Sequence, residues 1–272
     1  MGLNKIRKTI IAVPARVDSS RLPKKVLADI NGKPMLIRVL EQCKKVRIPA
    51  EIILCTDSKI LSELAKSIGI RSYSTNKDCK SGSERIASVI SEIVKNSWTD
   101  TESNFAISDD TKFKQTLVIN VQADQPFLEP SVLKKMYEFF LCQNEVPEVV
   151  TPIYKLNKKD IHNTSVVKTL LNQDHKAIYF SRSALPHIRD ISKNNWYSHY
   201  DYWGHVGIYG YRADILSNWF KYPFSILEKC EKLEQLKLID AGIKISTFEV
   251  KGNFLSVDTK EDLLTAREWS EN

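Results

Sequence analysis

Ile10-Ile11-Ala12-Val13-Pro14-Ala15-Arg16-Val17-Asp18-Ser19-Ser20-Arg21-Leu22-Pro23-Lys24-Lys25 is the stretch on which the reading of this chain turns. It opens with four apolar residues, the length of a buried strand, and Pro14 closes the run. A loop follows that carries Arg16, Arg21, Lys24 and Lys25 among small residues. A short buried strand that runs directly into a polar loop is the opening unit of a parallel α/β sheet, whose ligands gather beyond the carboxyl ends of its strands.

Outward from that stretch, strand and helix patterns alternate. Leu36, Val39, Leu40 and Cys43 recur at helical spacing, and Ile52–Cys55 is the next strand. Leu61, Leu64, Ala65 and Ile68 lie on one helical face, as do Ile86, Val89, Ile90, Ile93 and Val94. Leu117–Val121 reads as a further buried strand, followed by a helix marked by Met136, Phe139 and Phe140. Such alternation predicts a parallel sheet with helices on both faces. The polar stretch Asn96–Gln115 reads as a surface loop. Beyond it, Val149–Tyr154, Ser165–Leu171, Ala177–Ser181 and Val206–Tyr211 are closely spaced strands of an antiparallel or mixed sheet. Helices around Ala213–Phe220 and Ile226–Ala241, a strand at Lys244–Val250 and a helix from Lys260 to Trp269 complete the pattern. We expect one domain, with a first part at about 1–150 and a second part at about 151–272.

Composition narrows the function. The 272 residues carry a net charge of +7, which suits an anionic partner. No long Lys/Arg run, zinc-finger spacing or aromatic-basic motif points to nucleic acid. Five cysteines without a C-x-x-C pair give neither a disulfide framework nor a zinc site, and fit a reducing cytoplasm. Cys43 and Cys142 fall on apolar helical faces, where a buried thiol is usual. The run Ile10–Val13 is too short for a signal-peptide core, and no apolar stretch is long enough to span a bilayer.

Three loops carry the chemistry. In the first, guanidinium forks and ammonium groups suit a triphosphate, although a basic surface turn gives the same residues. The second is Gln122-Ala123-Asp124-Gln125-Pro126, in which Asp124 is placed either to hold a metal against phosphate oxygens or to cap a helix. The third is Ser81-Gly82-Ser83-Glu84-Arg85, a capping-box pattern at a helix start, where an anion or a nucleotide hydroxyl is also welcome.

Pro14-Ala15-Arg16, Ser20-Arg21-Leu22-Pro23, Lys25 and Asn31-Gly32-Lys33-Pro34-Met35 resemble the opening of the CMP-KDO synthetases, the 3-deoxy-manno-octulosonate cytidylyltransferases. The resemblance continues through Thr56-Asp57, Ser81–Arg85, Asn120–Pro126, Tyr179–Arg182, His205–Arg212, Leu233–Leu236 and Val257-Asp258-Thr259, in the same order. It implies a nucleotide-diphospho-sugar-transferase-like α/β fold, a Rossmann-like parallel and mixed sheet whose part at about 1–150 binds nucleotide and whose part at about 151–272 binds sugar and dimerises. An antiparallel dimerisation arm near Asn157–His205 and a homodimer are implied with it. It further implies a cytoplasmic enzyme of cell-surface polysaccharide or lipopolysaccharide biosynthesis, free of nucleic acid and membrane insertion, which couples CTP to an acidic sugar with Mg²⁺ as cofactor. Arg16, Arg21 and Lys25 are implied to grip the triphosphate, joined by Pro14, Ala15, Ser83, Arg85 and Gln122 at the nucleotide. Asp124 and Asp258 are implied as metal ligands, and Arg182, His205, Glu231, Glu234 and Gln235 as sugar contacts.

On residue type alone, His205 equally reads as a core histidine. Glu231, Glu234 and Gln235 equally read as one solvated helical face, and Asp258 as a helix cap. Departures from the family pattern are Lys24, Ala123, Gln125, Lys237 and Ser256. The alternatives are a cytidylyltransferase for an 8-amino KDO or sialic-acid-like sugar, or a non-enzymatic nucleotide- or nucleic-acid-binding protein.

Overall fold

The computed structural model describes residues 5–19, 21–98, 107–252 and 254–269. Ser20 and the middle of the stretch Asn96–Gln115 lie outside them. The chain forms two compact units, one of residues 1–146, 210–220 and 253–272, the other of 147–209 and 221–252. The first unit is therefore discontinuous in sequence, and Asp258 belongs to it.

The first unit is built on four parallel strands in the order β5–β4–β1–β6, with β1 at Lys8–Ala15, β4 at Glu51–Thr56, β5 at Arg71–Ser74 and β6 at Thr116–Val121. β6 is buried along its whole length and β1 nearly so, as strands covered on both faces must be. The chain leaves β1 toward β4 on one side, while β6 lies on the other. The strand order thus reverses at β1, and the crevice beyond β1 and β6 is the switch point at which open α/β sheets bind ligands. The helices are α1 (Met35–Lys44), α2 (Lys59–Ser67), α3 (Gly82–Ala87), α4 (Ile90–Ser97), α5 (Asp109–Lys114), α6 (Pro130–Cys142), α7 (Ala213–Ser217) and α10 (Lys260–Trp269). α1 buries Met35, Leu36, Ile37, Val39, Leu40 and Cys43, the predicted stripe and its neighbours.

A small hairpin, β2 (Asp29–Ile30) and β3 (Lys33–Pro34), turns through Asn31 at φ 46° and Gly32 at φ 83°. Two consecutive left-handed residues are what a two-residue hairpin requires, and Asn-Gly is the pair that adopts them most readily. Behind it, Leu22, Ile30 and Met35 pack with Val257, Leu263 and Ala266, which ties the C-terminal segment to the basic loop.

The second unit holds β7 (Val149–Lys155), β8 (Lys168–Leu171), β9 (Ala177–Ser181), β10 (Trp203–His205) and β12 (Ile245–Glu249), in the order β12–β7–β10–β8–β9. The β12–β7 pair is parallel and the rest antiparallel, the mixed sheet that the spacing predicts. Strand β11 (Ile208–Arg212) carries the chain back toward the first unit. A satellite core of Leu156, Ile161, Trp196 and Tyr202 fills the stretch rich in Trp and Tyr.

Three expectations are corrected. The polar stretch is not loop throughout, since Ser108 caps the short helix α5 through the Thr111 N–H. The segment Ile226–Ala241 is two helices, α8 (Ile226–Glu231) and α9 (Leu236–Asp240), separated at Lys232, whose backbone turns left-handed at φ 54°. Glu231, Glu234 and Gln235 therefore do not share a continuous helical face. Cys43 is buried as read, whereas Cys142, the last residue of α6, is exposed.

Candidate active site

A cavity of about 220 Å³ opens beyond the carboxyl ends of β1 and β6, lined by residues of the first unit. The loop after β1 gives Pro14, Ala15, Arg16, Arg21 and Lys25, the loop after β6 gives Gln122 and Asp124, and the α3 start gives Gly82 and Arg85. Asp258 arrives from the segment before α10, where the Val257 N–H donates to the Asp124 carbonyl at 2.9 Å. Lys25 and Asp258, 233 positions apart, thus meet at one wall.

At the centre stands Lys25. Its ammonium donates to Asp124 Oδ2 and to Asp258 Oδ1, each at 2.8 Å, and Arg21 approaches Asp258 Oδ1 at 3.2 Å. Burial works to lower the pKa of Lys25, but Asp124 and Asp258 outweigh it and hold it above the ordinary lysine value. The capping readings are settled by geometry. Thr259 Oγ1 accepts from the Asp262 N–H at 3.2 Å, and Asp262 Oδ2 accepts from the Asp258 and Thr259 N–H groups. Thr259 and Asp262 form the capping box of α10, and the Asp258 carboxylate is left for Lys25 and Arg21. Ser81 does cap α3, accepting from the Glu84 N–H at 3.2 Å.

Arg85 lines the cavity although it is only 2% exposed. Nη1 donates to Thr75 Oγ1 and lies 3.5 Å from Asp57 Oδ1. Nη2 has no partner among the described residues, so a buried donor waits at the wall. Burial drives the thiol of nearby Cys55 up to about 12, with Arg85 opposing, which leaves that cysteine inert. Ser83 does not line the cavity. Fully buried, it accepts from Asn120 Nδ2 at 3.1 Å and shares a 2.9 Å hydrogen bond with the Tyr211 hydroxyl. Asn120 Oδ1 in turn accepts from Gln122 Nε2 at 3.1 Å. Ser83 is therefore joined to Gln122 through Asn120. Sequence reading missed Tyr211, which reads only as a strand residue, and Thr75, which follows the strand β5 that has no apolar run.

The residues assigned to a sugar lie in the second unit. Arg182 and Glu231 are joined. The Arg182 N–H donates to Glu231 Oε2 at 3.0 Å, Nε to the Glu231 carbonyl at 2.9 Å, and Ser181 Oγ to Glu231 Oε1 at 2.7 Å. Gln235 is 2% exposed, and its Nε2 has no partner among the described residues. Glu234 is half-buried beside it in sequence. His205 is held elsewhere, with Nε2 3.1 Å from Thr151 Oγ1 and its ring against Phe180 and Tyr209. Burial pushes its imidazole down to about 3, so it stays neutral at ordinary pH.

Two carboxylates that converge on one cation offer hard oxygen donors, and Mg²⁺ commonly takes one or two protein carboxylates with phosphate oxygens and water completing its shell. Among the described residues no cluster of three or more His, Cys, Asp or Glu forms a metal cage. The Asp124–Asp258 pair thus fits a metal that arrives with a phosphate ligand.

Cations facing a cavity at the switch point of a parallel sheet, with paired carboxylates on one wall, define the class of α/β nucleotide-binding proteins that handle charged phosphates. A profile of the cytidylyltransferase family matches residues 10–245. The 3-deoxy-manno-octulosonate cytidylyltransferase of Escherichia coli is 34% identical over 97% of this chain and 99% of that protein. That of Chloroherpeton thalassium is 33% identical over 94% and 95%. A solved CMP:2-keto-3-deoxy-manno-octonic acid synthetase complexed with CTP matches with a TM-score of 0.81 at 32% identity, covering 97% of this chain and 99% of that one. At 15% identity and a TM-score of 0.57, the 4-diphosphocytidyl-2C-methyl-D-erythritol synthase from Anaerococcus prevotii shares the fold alone. The chain belongs to the cytidylyltransferase family, among the 3-deoxy-manno-octulosonate cytidylyltransferases, and its fold is that of the nucleotide-diphospho-sugar transferases.

Proposed function

We propose that this protein couples CTP to 3-deoxy-manno-octulosonate or a close relative, giving the CMP-sugar and pyrophosphate. The observation that carries the reading is the convergence of Lys25, Asp124 and Asp258 at the wall of the cavity. The anomeric hydroxyl of the sugar forms a bond to the α-phosphorus and gives up its proton to water, while the bond from the α-phosphorus to the bridging oxygen breaks and that oxygen leaves on pyrophosphate. Arg16, Arg21 and Lys25 are placed to bind the phosphates and to offset the charge that develops on the leaving pyrophosphate. Lys25 has a carboxylate pair to leave and a phosphate to go to, so its ammonium shifts partners as the nucleotide enters. Gln122, held by Asn120, and the free Nη2 of Arg85 meet the nucleoside. Mg²⁺, held by Asp124 and Asp258, would supply Lewis-acid polarisation of the phosphate.

In the second unit, Arg182, His205, Glu231, Glu234 and Gln235 receive the acidic sugar. Glu231 does so by fixing Arg182, since both its carboxylate oxygens are taken up by residues 181 and 182. We further assign the protein to the cytoplasm and to cell-surface polysaccharide or lipopolysaccharide synthesis, as a homodimer through the arm Asn157–His205. Among the described residues no helix is long and apolar enough to cross a membrane. The test is pyrophosphate release over a matrix of four nucleoside triphosphates and several sugar acids, with and without Mg²⁺. Turnover confined to CTP, Mg²⁺ and 3-deoxy-manno-octulosonate is expected. Equal rates with CTP and ATP, or preference for a sialic-acid-like sugar, would overturn the nucleotide or the sugar assignment respectively.

A further inference from the structure

Lys168 opens strand β8 and is 1% exposed. A buried ammonium persists only where charge or full hydrogen bonding replaces its water. Among the described residues it forms no ion pair. Its three N–H donors instead meet three backbone carbonyls, those of Asn163 at 2.8 Å, Val166 at 2.7 Å and Arg182 at 2.5 Å. Such an arrangement leaves no donor for a substrate, so whatever Lys168 does, it does through the backbone it binds.

What it binds is a junction. Residues 163 and 166 lie on the turn before β8, and Arg182 follows directly on β9. The Arg182 side chain closes the same junction from its own side, with Nη1 donating to the Thr164 carbonyl at 3.2 Å and Nε to the Glu231 carbonyl. Its Nη2 makes no hydrogen bond to the described residues. The guanidinium is thus clamped along two of its nitrogens, and the third is left for a ligand. Glu231 faces both cations, holding Arg182 by hydrogen bonds and acting on the Lys168 ammonium through its charge. Burial pulls the pKa of Lys168 down to about 8, with Glu231 raising it and Arg182 lowering it further.

We propose that Lys168 is a positioning residue for the acidic sugar, fixing through the Arg182 carbonyl the direction in which that guanidinium meets the sugar carboxylate. The proposal rests on the assignment of Arg182 to the sugar. Lys168→Met keeps an unbranched stem of four heavy atoms but lacks the ammonium, and so leaves three carbonyls without a donor. It should raise the KM for the sugar acid by about fivefold or more while the KM for CTP stays within about twofold. Lys168→Arg, which keeps a cation with several donors, should recover part of the loss, and it replaces the Met variant if that protein does not fold. The decisive measurement is the double-mutant cycle with Arg182→Ala. If Lys168 acts through Arg182, its effect on the sugar KM vanishes in the Arg182→Ala background. Full additivity, or equal rises in both KM values, overturns the proposal. An Arg182→Ala protein with an unchanged sugar KM instead overturns the sugar assignment itself, whatever Lys168 does.

Discussion

Lys25 and Lys168 are both largely withdrawn from water, and each unit solves the electrostatic problem in its own way. Lys25 stands between two carboxylates whose oxygens lie 2.8 Å away, and a metal or a phosphate can take over either side of that exchange. Lys168 is fastened to three carbonyls that belong to the backbone and cannot leave. The first arrangement is suited to change partners during a reaction, the second to stay fixed while other groups move. A side-chain ion pair is a contact that ligands compete for, whereas a ring of carbonyls is architecture.

The strongest test of the exchangeable site is removal of its carboxylates. Asp124→Asn and Asp258→Asn should each lower kcat by about a hundredfold or more, because an amide brings no negative charge to a cation. Melting temperatures should stay within about 5 °C of wild type, since neither carboxylate caps a helix. The double variant should be little worse than either single one, as both serve one coordinated unit. Pyrophosphate release at saturating CTP and sugar, with melts in parallel, reads all three outcomes. A well-folded Asp258→Asn enzyme of near-normal rate would remove Asp258 from the site.

Weaker effects are expected for the arginines proposed to bind phosphate. Arg16→Ala or Arg21→Ala should cut kcat/KM by about tenfold, with the fold intact. Lys8→Ala is the control, because its ammonium lies 5.8 Å from the centre of the Trp98 ring and does not line the cavity. If all three variants behave alike, the loop is a charged surface and nothing more. Smaller still is the change at Gly82, where an added Cβ meets Gln122 Nε2 at 2.8 Å and Oε1 at 2.9 Å. Gly82→Ala should push Gln122 aside and raise the KM for CTP about threefold, with part of the discrimination against other bases lost. An unchanged CTP-to-ATP ratio would take Gln122 out of base recognition.

How much of this was legible in the sequence follows from the kind of signal each element sends. Strands β1, β4 and β6 are apolar runs, and the helices between them carry stripes, so the parallel sheet could be read directly. β5 reads Arg-Ser-Tyr-Ser and buries only Tyr73, so it offers no run to find. The break at Lys232 was hidden because its left-handed backbone falls on a residue that is neither glycine nor asparagine. The basic loop and Asp124 were visible as residue types in the right loops. Asp258 was visible only through the resemblance, since its neighbours spell a capping signal equally well, and only coordinates show that Thr259 does the capping. Lys168 was silent, because its partners are backbone carbonyls and any sequence supplies those.

The last test asks how firmly the fixed site holds its proton. Burial draws Lys168 down to about 8 from the ordinary 10.5, so the folded chain releases a proton that the unfolded chain still binds. Between those two values the unfolded state carries more protons, and the contribution of this lysine to stability rises with pH. Lys25 has the opposite sign. Its pKa is raised, so its contribution is full below the ordinary lysine value and fades only as pH climbs beyond it. The charged groups acting on Lys168 are Glu231 and Arg182. Melts of wild type and Lys168→Met from about pH 7 to pH 10 isolate the group, because Lys25 is common to both. The wild-type advantage should widen above about pH 8. If it stays constant or narrows, the three carbonyls favour the ammonium by enough to cancel its burial, and Lys168 keeps its charge as firmly as Lys25 does.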